Sequence, residues 1–301
     1  MVKLSHLLKM SNNKRMRLAV VACHDEEVLE AVIESSSYGI TEPVLIGDRD
    51  RTIKIAEKSN LNIASYEIID EPDLIKAAEL GVKMVSEGKA DFIMKGLVDT
   101  SILLKAVLNK EWGLRTDSLL SHVMVYEIPG YNKLIYLTDG GMNLEPTVEG
   151  KVKIVENASI VARAMGKITI KVACLAAKEK IDPKMKATVD ASELKHIYEN
   201  GGFSEGIIVD GPMALDLAVS KESAEIKGYK SDVAGEADIL LVPSIEMGNG
   251  IGKSITYFAQ GKSAGIIMGA KVPIVLVSRA DDHITKLYSI ALGSRIAESL
   301  S

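Results

Sequence analysis

Leu18-Ala19-Val20-Val21-Ala22, followed by residues 25–36 with apolar side chains at Val28, Leu29, Val32 and Ile33, decides the fold. Five consecutive apolar residues suit a strand buried on both faces, and the second spacing marks one face of a helix. Together they make a βα unit. The same alternation recurs at Pro43-Val44-Leu45-Ile46-Gly47 before a helical 50–59, at Tyr66-Glu67-Ile68-Ile69 before 73–87, and at Asp91-Phe92-Ile93-Met94 before 101–108. Such regularity predicts a parallel sheet covered on both faces by helices. His122-Val123-Met124-Val125-Tyr126 and Leu134-Ile135-Tyr136-Leu137-Thr138 flank the turn residues Pro129-Gly130-Tyr131-Asn132, which predicts an antiparallel hairpin. A helix over 148–164 opens a second series, with strands at 171–175, 206–209, 239–242 and 264–268 and helices at 191–198 and 251–259. A last strand at 273–277 leads into a closing helix from about residue 284.

Composition narrows the function. With 47% hydrophobic and 26% charged residues the chain is an ordinary globular protein, and its 301 residues suit two domains. Basic and acidic side chains number 36 and 41, giving a net charge of −5 with no block of like charge, which argues against nucleic acid. Cys23 and Cys174 each sit in an apolar run, so neither a disulfide framework nor a Cys/His metal-ligand spacing is present in the sequence. No apolar run approaches the roughly 18 residues of a spanning helix, and MVKLSHLLKMSNNKRMR offers only Leu7-Leu8 as an apolar core for a leader. The expectation is a cytoplasmic protein without a membrane partner.

In open α/β sheets ligands bind beyond the carboxyl ends of the strands, where helix N-termini and unpaired N–H groups converge. Five loops there carry unusual residues. Lys95-Gly96 with Thr100-Ser101 makes an anion cradle ahead of a helix, and Asp139-Gly140-Gly141 lets backbone approach a ligand. Asp210-Gly211-Pro212 follows the strand at 206–209. Residues 248–254 have glycines before Lys253-Ser254 but miss both the Walker and the dinucleotide spacing. They read as a flexible loop opening a helix with a lysine in its first turn, suited to phosphate, or as a tight turn with a solvated lysine. Ser278-Arg279-Ala280-Asp281 gathers a hydroxyl, a cation and a carboxylate at a strand end. Alternatively, the Arg–Asp pair is structural, with Asp281 or Asp282 as N-cap of the last helix. His122 and His283 are candidate bases, each more simply a polar neighbour.

Taken in order, Lys95-Gly96 with Thr100-Ser101, Gly113-Leu114-Arg115-Thr116, Leu120-Ser121-His122-Val123, Asp210-Gly211-Pro212, Glu246-x-Gly248-Asn249 and Ser278-Arg279-Ala280-Asp281 resemble the phosphate acetyl/butyryltransferase family, the butyryltransferase branch more closely. The resemblance spans residues 18–292. It implies an α/β fold of two αβα three-layer domains with a cleft between them, similar to isocitrate and isopropylmalate dehydrogenases. The expected domains are 1–137 with 276–301, and 138–275. It implies reversible transfer of a short-chain acyl group between coenzyme A and inorganic phosphate, both as substrates, with no cofactor and no metal, in a homodimer or higher homo-oligomer. A phosphate acetyltransferase, a non-catalytic acyl-CoA sensor and a dehydrogenase are the alternatives, the last without a recognisable cofactor loop.

By the same resemblance Ser278 contacts the CoA sulfur, Arg279 holds phosphate and developing oxyanion charge, and Asp281 or Asp282, with Asp281 favoured, takes the thiol proton. Substrate binding falls on Lys95, Gly96, Thr100, Lys105, Arg115, Ser121, Asn249, Gly252 and Lys253. Lys105 stands where the acetyltransferase branch carries an arginine. Asp139-Gly140 replaces that branch's Asp-Cys pair, so no covalent cysteine role carries over. The chemistry sets one constraint: a thiol titrates near 8.5 and an ordinary aspartate near 3.9, so full proton transfer costs about 6 kcal/mol. Proton removal must therefore accompany attack, or the carboxylate must be desolvated.

Overall fold

The computed structural model describes residues 3–9, 14–278 and 281–301. The chain forms two compact units, a central one of residues 119–262 and a terminal one of 3–118 with 263–301. The crossings therefore fall earlier than the expected 137/138 and 275/276.

The terminal unit opens with a short 3-10 helix, Leu4–Lys9. β1 (Met16–Val21), α1 (Glu26–Ser37), β2 (Thr41–Gly47), α2 (Arg49–Lys58), β3 (Glu67–Asp70), α3 (Leu74–Ser86), β4 (Phe92–Lys95) and α4 (Thr100–Val107) follow in strict alternation. After the central unit the chain returns as β10 (Lys262–Met268), β11 (Ile274–Val275) and α10 (His283–Leu300). The strand order is β3-β2-β1-β4-β11-β10, parallel except that β10 runs antiparallel to β11. Only residues 269–273 join those two strands, too few for the crossover that a parallel pair requires. This pairing draws 263–268 into the terminal unit, and apolar periodicity carries no such direction. Right-handed crossovers send α1 and α2 to one face and α3 to the other. Accordingly α10 packs on α1, and α4 packs on α3.

Aspartates begin these helices. Asp25, Asp48, Asp73 and Asp282 each accept a first-turn N–H, which halts the chain at the carboxyl edge of the sheet and turns it back. Leu18, Val20, Leu45, Ile46, Ile93 and Met94 are fully buried between the layers, each worth roughly 1.5–3 kcal/mol of burial. α10 is buried around much of its circumference, through Leu287, Ile290, Leu292 and Ile296 but also Ser289 and Ser294. Ser289 repays its burial by accepting from the Gly265 N–H at 2.9 Å and donating to the Thr285 carbonyl at 2.7 Å.

The central unit comprises β5 (Ser121–Glu127), β6 (Ile135–Thr138), α5 (Val148–Ala164), β7 (Ile170–Leu175), α6 (Lys186–Glu199), β8 (Ile207–Met213), α7 (Leu215–Val219), α8 (Lys221–Ile226), β9 (Ile239–Leu241) and α9 (Ile245–Tyr257). β5 and β6 form the expected hairpin, Val123 facing Thr138 and Tyr126 facing Ile135. The order is β5-β6-β9-β7-β8, parallel from β6 onward. Because β6 pairs with β9, the hairpin belongs here rather than with the first strands, which moves the domain crossing. Tyr126, Leu137, Leu175, Met213, Leu217, Leu240 and Val242 form the core. Among the described residues no helix is long and apolar enough to cross a membrane.

Candidate active site

β1, β4 and β11 lie side by side and parallel, with Val21 paired to Lys95 and Val275 paired to Met94. The loops after β4 and β11 therefore leave the sheet from neighbouring strands at the same edge. Lys95 and the residues that follow β11 thus start from adjacent strand ends within the terminal unit.

The loop after β4 is built on close approach. A Cβ at Gly96 would stand 2.3 Å from the Ala22 carbonyl oxygen and 2.7 Å from that of Val21, so only glycine lets this backbone run against the end of β1. Lys95 is 7% exposed, and its ammonium donates to the carbonyls of Gly96 at 3.2 Å and Val98 at 3.1 Å. It thus holds a positive charge at the strand end while fixing the loop that delivers Thr100, half-buried, as the first residue of α4. Lys105 is exposed in the last turn of α4, where a cation complements the helix dipole. Arg115 is exposed next to Leu114, whose N–H donates to the Val107 carbonyl and whose carbonyl accepts from Lys271 at 2.9 Å. The arginine side chain is therefore solvent-exposed on a backbone anchored at its neighbour Leu114.

Beyond β11 the chain closes a tight turn. The Ser278 N–H donates to Asp281 Oδ2 at 2.8 Å, and the Asp281 N–H donates to the Ser278 carbonyl at 3.2 Å. Lys286, 4% exposed, donates from Nζ to the Asp281 carbonyl. Ser278 is exposed and Asp281 half-buried. Asp282 has a different task as N-cap of α10, accepting from the Thr285 N–H at 2.8 Å. Burial pushes its carboxyl pKa up, but the Thr285 N–H and hydroxyl, with His283 and Lys286, outweigh this and hold it below the ordinary range. Of the two alternatives, the capping role falls on Asp282 and leaves Asp281 facing Ser278. Arg279 lies outside the described residues.

In the central unit the expected phosphate loop is corrected. Residues 245–257 form the continuous helix α9, N-capped at Ser244, so Asn249, Gly252 and Lys253 lie inside a helix rather than in a loop or its first turn. Glu246 occupies that first turn, and its own N–H and the Ser244 hydroxyl hold its pKa down. The glycines serve packing. A Cβ at Gly252 would lie 2.6 Å from the Tyr126 hydroxyl, and one at Gly140 2.7 Å from the Gly248 carbonyl carbon. Asn249 and Lys253 are exposed, Lys253 lying 5.9 Å from the Tyr257 ring centre. Ser121 is fully buried and accepts from Asn157 Nδ2 at 2.8 Å, joining β5 to α5. Asp139 is tied up within its own loop, receiving the N–H groups of Gly141, Met142 and Asn143. Asp210-Gly211-Pro212 lies within β8 instead of following it.

Buried charge pairs are the feature that sequence reasoning missed. Lys151 and Asp190, 3% and 8% exposed in their side chains, meet at 2.6 Å, and Asp238 receives both Lys133 and Lys167 at 2.7 Å. No local signal announces them, since the partners are distant in sequence.

Comparison with known proteins gives the family. A family described as phosphate acetyl/butaryl transferase matches residues 71–294. The phosphate butyryltransferase of Clostridium acetobutylicum is 45% identical over 97% of this chain and 96% of its own length. The phosphate acetyltransferase of Thermotoga maritima is 42% identical over 98% and 99%. A solved branched-chain phosphotransacylase from Enterococcus faecalis superposes with a TM-score of 0.83 at 32% identity, covering 94% of this chain and 99% of that one. The chain belongs to the phosphate acetyl/butaryl transferase family and is an acyltransferase.

Proposed function

We propose that the chain catalyses reversible transfer of a short acyl group between coenzyme A and inorganic phosphate, with butyryl preferred, at the turn that follows β11. The observation that carries this reading is the mutual bonding of Ser278 and Asp281 beyond β11, a strand paired with the β4 that ends at Lys95, in a chain 45% identical to a phosphate butyryltransferase. In one direction the CoA thiol attacks the carbonyl carbon of the acyl phosphate. A C–S bond forms, the C–O bond to phosphate breaks, phosphate leaves, and the thiol proton passes to Asp281. In the other, a phosphate oxygen attacks the thioester and CoA departs with the returned proton.

The acyl phosphate is already activated, so orientation and electrostatics carry the rate. Oriented approach of two substrates in a ternary complex removes much of the entropic barrier. Attack builds an oxyanion beside an existing phosphate charge, and Arg279, Arg115 and Lys105 supply cations for both. Asp281 is only half-buried, so proton removal accompanies attack rather than preceding it. No covalent cofactor is needed for these steps. A homo-oligomer is part of the same reading, and light scattering of the purified protein tests it.

Incubation with butyryl-CoA and phosphate, followed by thiol release and hydroxamate trapping, tests the function. Equal amounts of thiol and acyl phosphate, formed only when phosphate is present, are expected. Absence of phosphate-dependent release overturns the proposal. A kcat/KM for acetyl-CoA equal to or above that for butyryl-CoA overturns the acyl preference alone.

A further inference from the structure

Among the described residues one group of histidine and carboxylate donors converges tightly enough for a metal ion: Glu27 and Glu30 of α1 with His283 of α10. Their donor atoms lie within 4.8 Å of one another. His283 Nδ1 is 3.8 Å from Glu27 Oε2 and 3.7 Å from Glu30 Oε2. Both separations exceed hydrogen-bond length. Around an ion with bonds of about 2.0–2.2 Å, however, tetrahedral neighbours stand roughly 3.4 Å apart. The two His283 contacts would each contract by a few tenths of an ångström to reach that spacing.

Two independent features support a ligand there. Glu27 Oε2 is shut off from solvent and has no hydrogen-bond partner, a costly state for a carboxylate oxygen that a cation would relieve. In addition, the far nitrogen of the same ring, His283 Nε2, faces Glu34 Oε2 at 3.9 Å. A carboxylate behind the distal N–H is the usual outer partner that orients a metal-bound imidazole. The sequence hides the group because Glu27 and Glu30 share one helix while His283 lies near the other end of the chain.

We propose that Glu27, Glu30 and His283 bind a divalent ion of the zinc class, with Nδ1 of His283 as the nitrogen ligand and Glu34 holding Nε2–H. One imidazole with two carboxylates suits Zn²⁺ or Co²⁺ better than Mg²⁺ or Ca²⁺. The ion clamps the start of α10 to α1, two residues beyond Asp281, and so fixes the far side of the Ser278–Asp281 turn. It takes no part in acyl transfer, and the proposal stands or falls apart from that activity.

The full-length protein, freed of metal by a chelator, is titrated with Co²⁺ and then Zn²⁺. Expected are visible absorption bands of low-coordinate Co²⁺ saturating at about one equivalent, their loss on adding Zn²⁺, and a rise in melting temperature with Zn²⁺. Glu30→Gln and His283→Gln should abolish the bands, and Glu34→Gln should weaken affinity about 10–100-fold. The Glu27 and Glu30 side chains are 46% and 44% exposed, so their conversion to glutamine leaves the fold intact, which circular dichroism checks. Anomalous scattering at the zinc edge should locate the ion among the three residues. No Co²⁺ binding at millimolar concentration, unchanged binding in both variants, or an ion found elsewhere would each overturn the proposal. The first of these would mean that the three side chains pack against one another without an ion.

Discussion

Ser278 and Asp281 are locked to each other in both directions, the serine N–H donating to the aspartate carboxylate at 2.8 Å and the aspartate N–H donating to the serine carbonyl at 3.2 Å. The turn therefore holds the carboxylate beside the serine before any substrate arrives. Asp281→Asn keeps an acceptor oxygen for the Ser278 N–H but removes the base. We expect kcat for thiol release to fall about 10²–10⁴-fold, with the melting temperature nearly unchanged. An Asp282→Ala variant should lose stability rather than turnover, about 1 kcal/mol for a lost cap. Equal loss of turnover in both variants would show that the proton is carried elsewhere.

Arg279 and Lys253 separate two possible reaction centres. Arg279→Ala should lower kcat about 10²–10³-fold through lost oxyanion stabilisation. Lys253, exposed in the third turn of α9, should cost less than about tenfold on conversion to alanine, as expected of a group without preorganised aim at the developing charge. Comparable losses by steady-state kinetics would move the chemistry toward α9.

Ser121 distinguishes support from contact. Ser121→Ala deletes one of the two acceptors of the Asn157 amide, leaving the Leu119 carbonyl, and chemical denaturation should report a loss of about 1 kcal/mol. Because the hydroxyl is fully buried, KM for phosphate and for butyryl-CoA should stay within about threefold, the scatter expected of a purely structural change. A selective rise in KM for one substrate would return Ser121 to the binding site.

Asp238 makes stability depend on acid. Burial pushes its pKa up, but Lys133, Lys167 and the Lys171 N–H overcome this and hold it below the ordinary value. A depressed folded-state pKa contributes stability that is complete above the unfolded value near 3.9 and lost as pH falls through the folded one. Asp238→Asn should therefore destabilise the protein by about 2–4 kcal/mol at pH 7, with the gap to wild type narrowing below about pH 4. Urea melts at pH 7 and pH 3.5 check this, and a constant gap would contradict it.

The fold was legible where burial imposes a period. The apolar runs at 18–22, 43–47 and 91–94 each became a strand, and 148–164 became a helix to the residue. α9 was misread because Gly248, Gly250 and Gly252 suggest a loop, whereas two of them serve close packing against Gly140 and Tyr126 inside a helix. Strand direction at β10 and the crossings between units were invisible because alternation of apolar residues does not encode pairing partners. In the candidate site, Ser278 and Asp281 stand out in the sequence because they lie three residues apart. Glu27 with His283, and Lys151 with Asp190, meet only through the packing of whole helices.

The central claim is that the acyl group passes directly between sulfur and phosphate oxygen, with no acyl-enzyme. Incubating the protein with butyryl phosphate and isotopically labelled phosphate, first without CoA and then with it, tests this most directly. Label should enter butyryl phosphate only after CoA is added, whereas exchange in its absence would reveal a covalent intermediate and contradict the ternary mechanism.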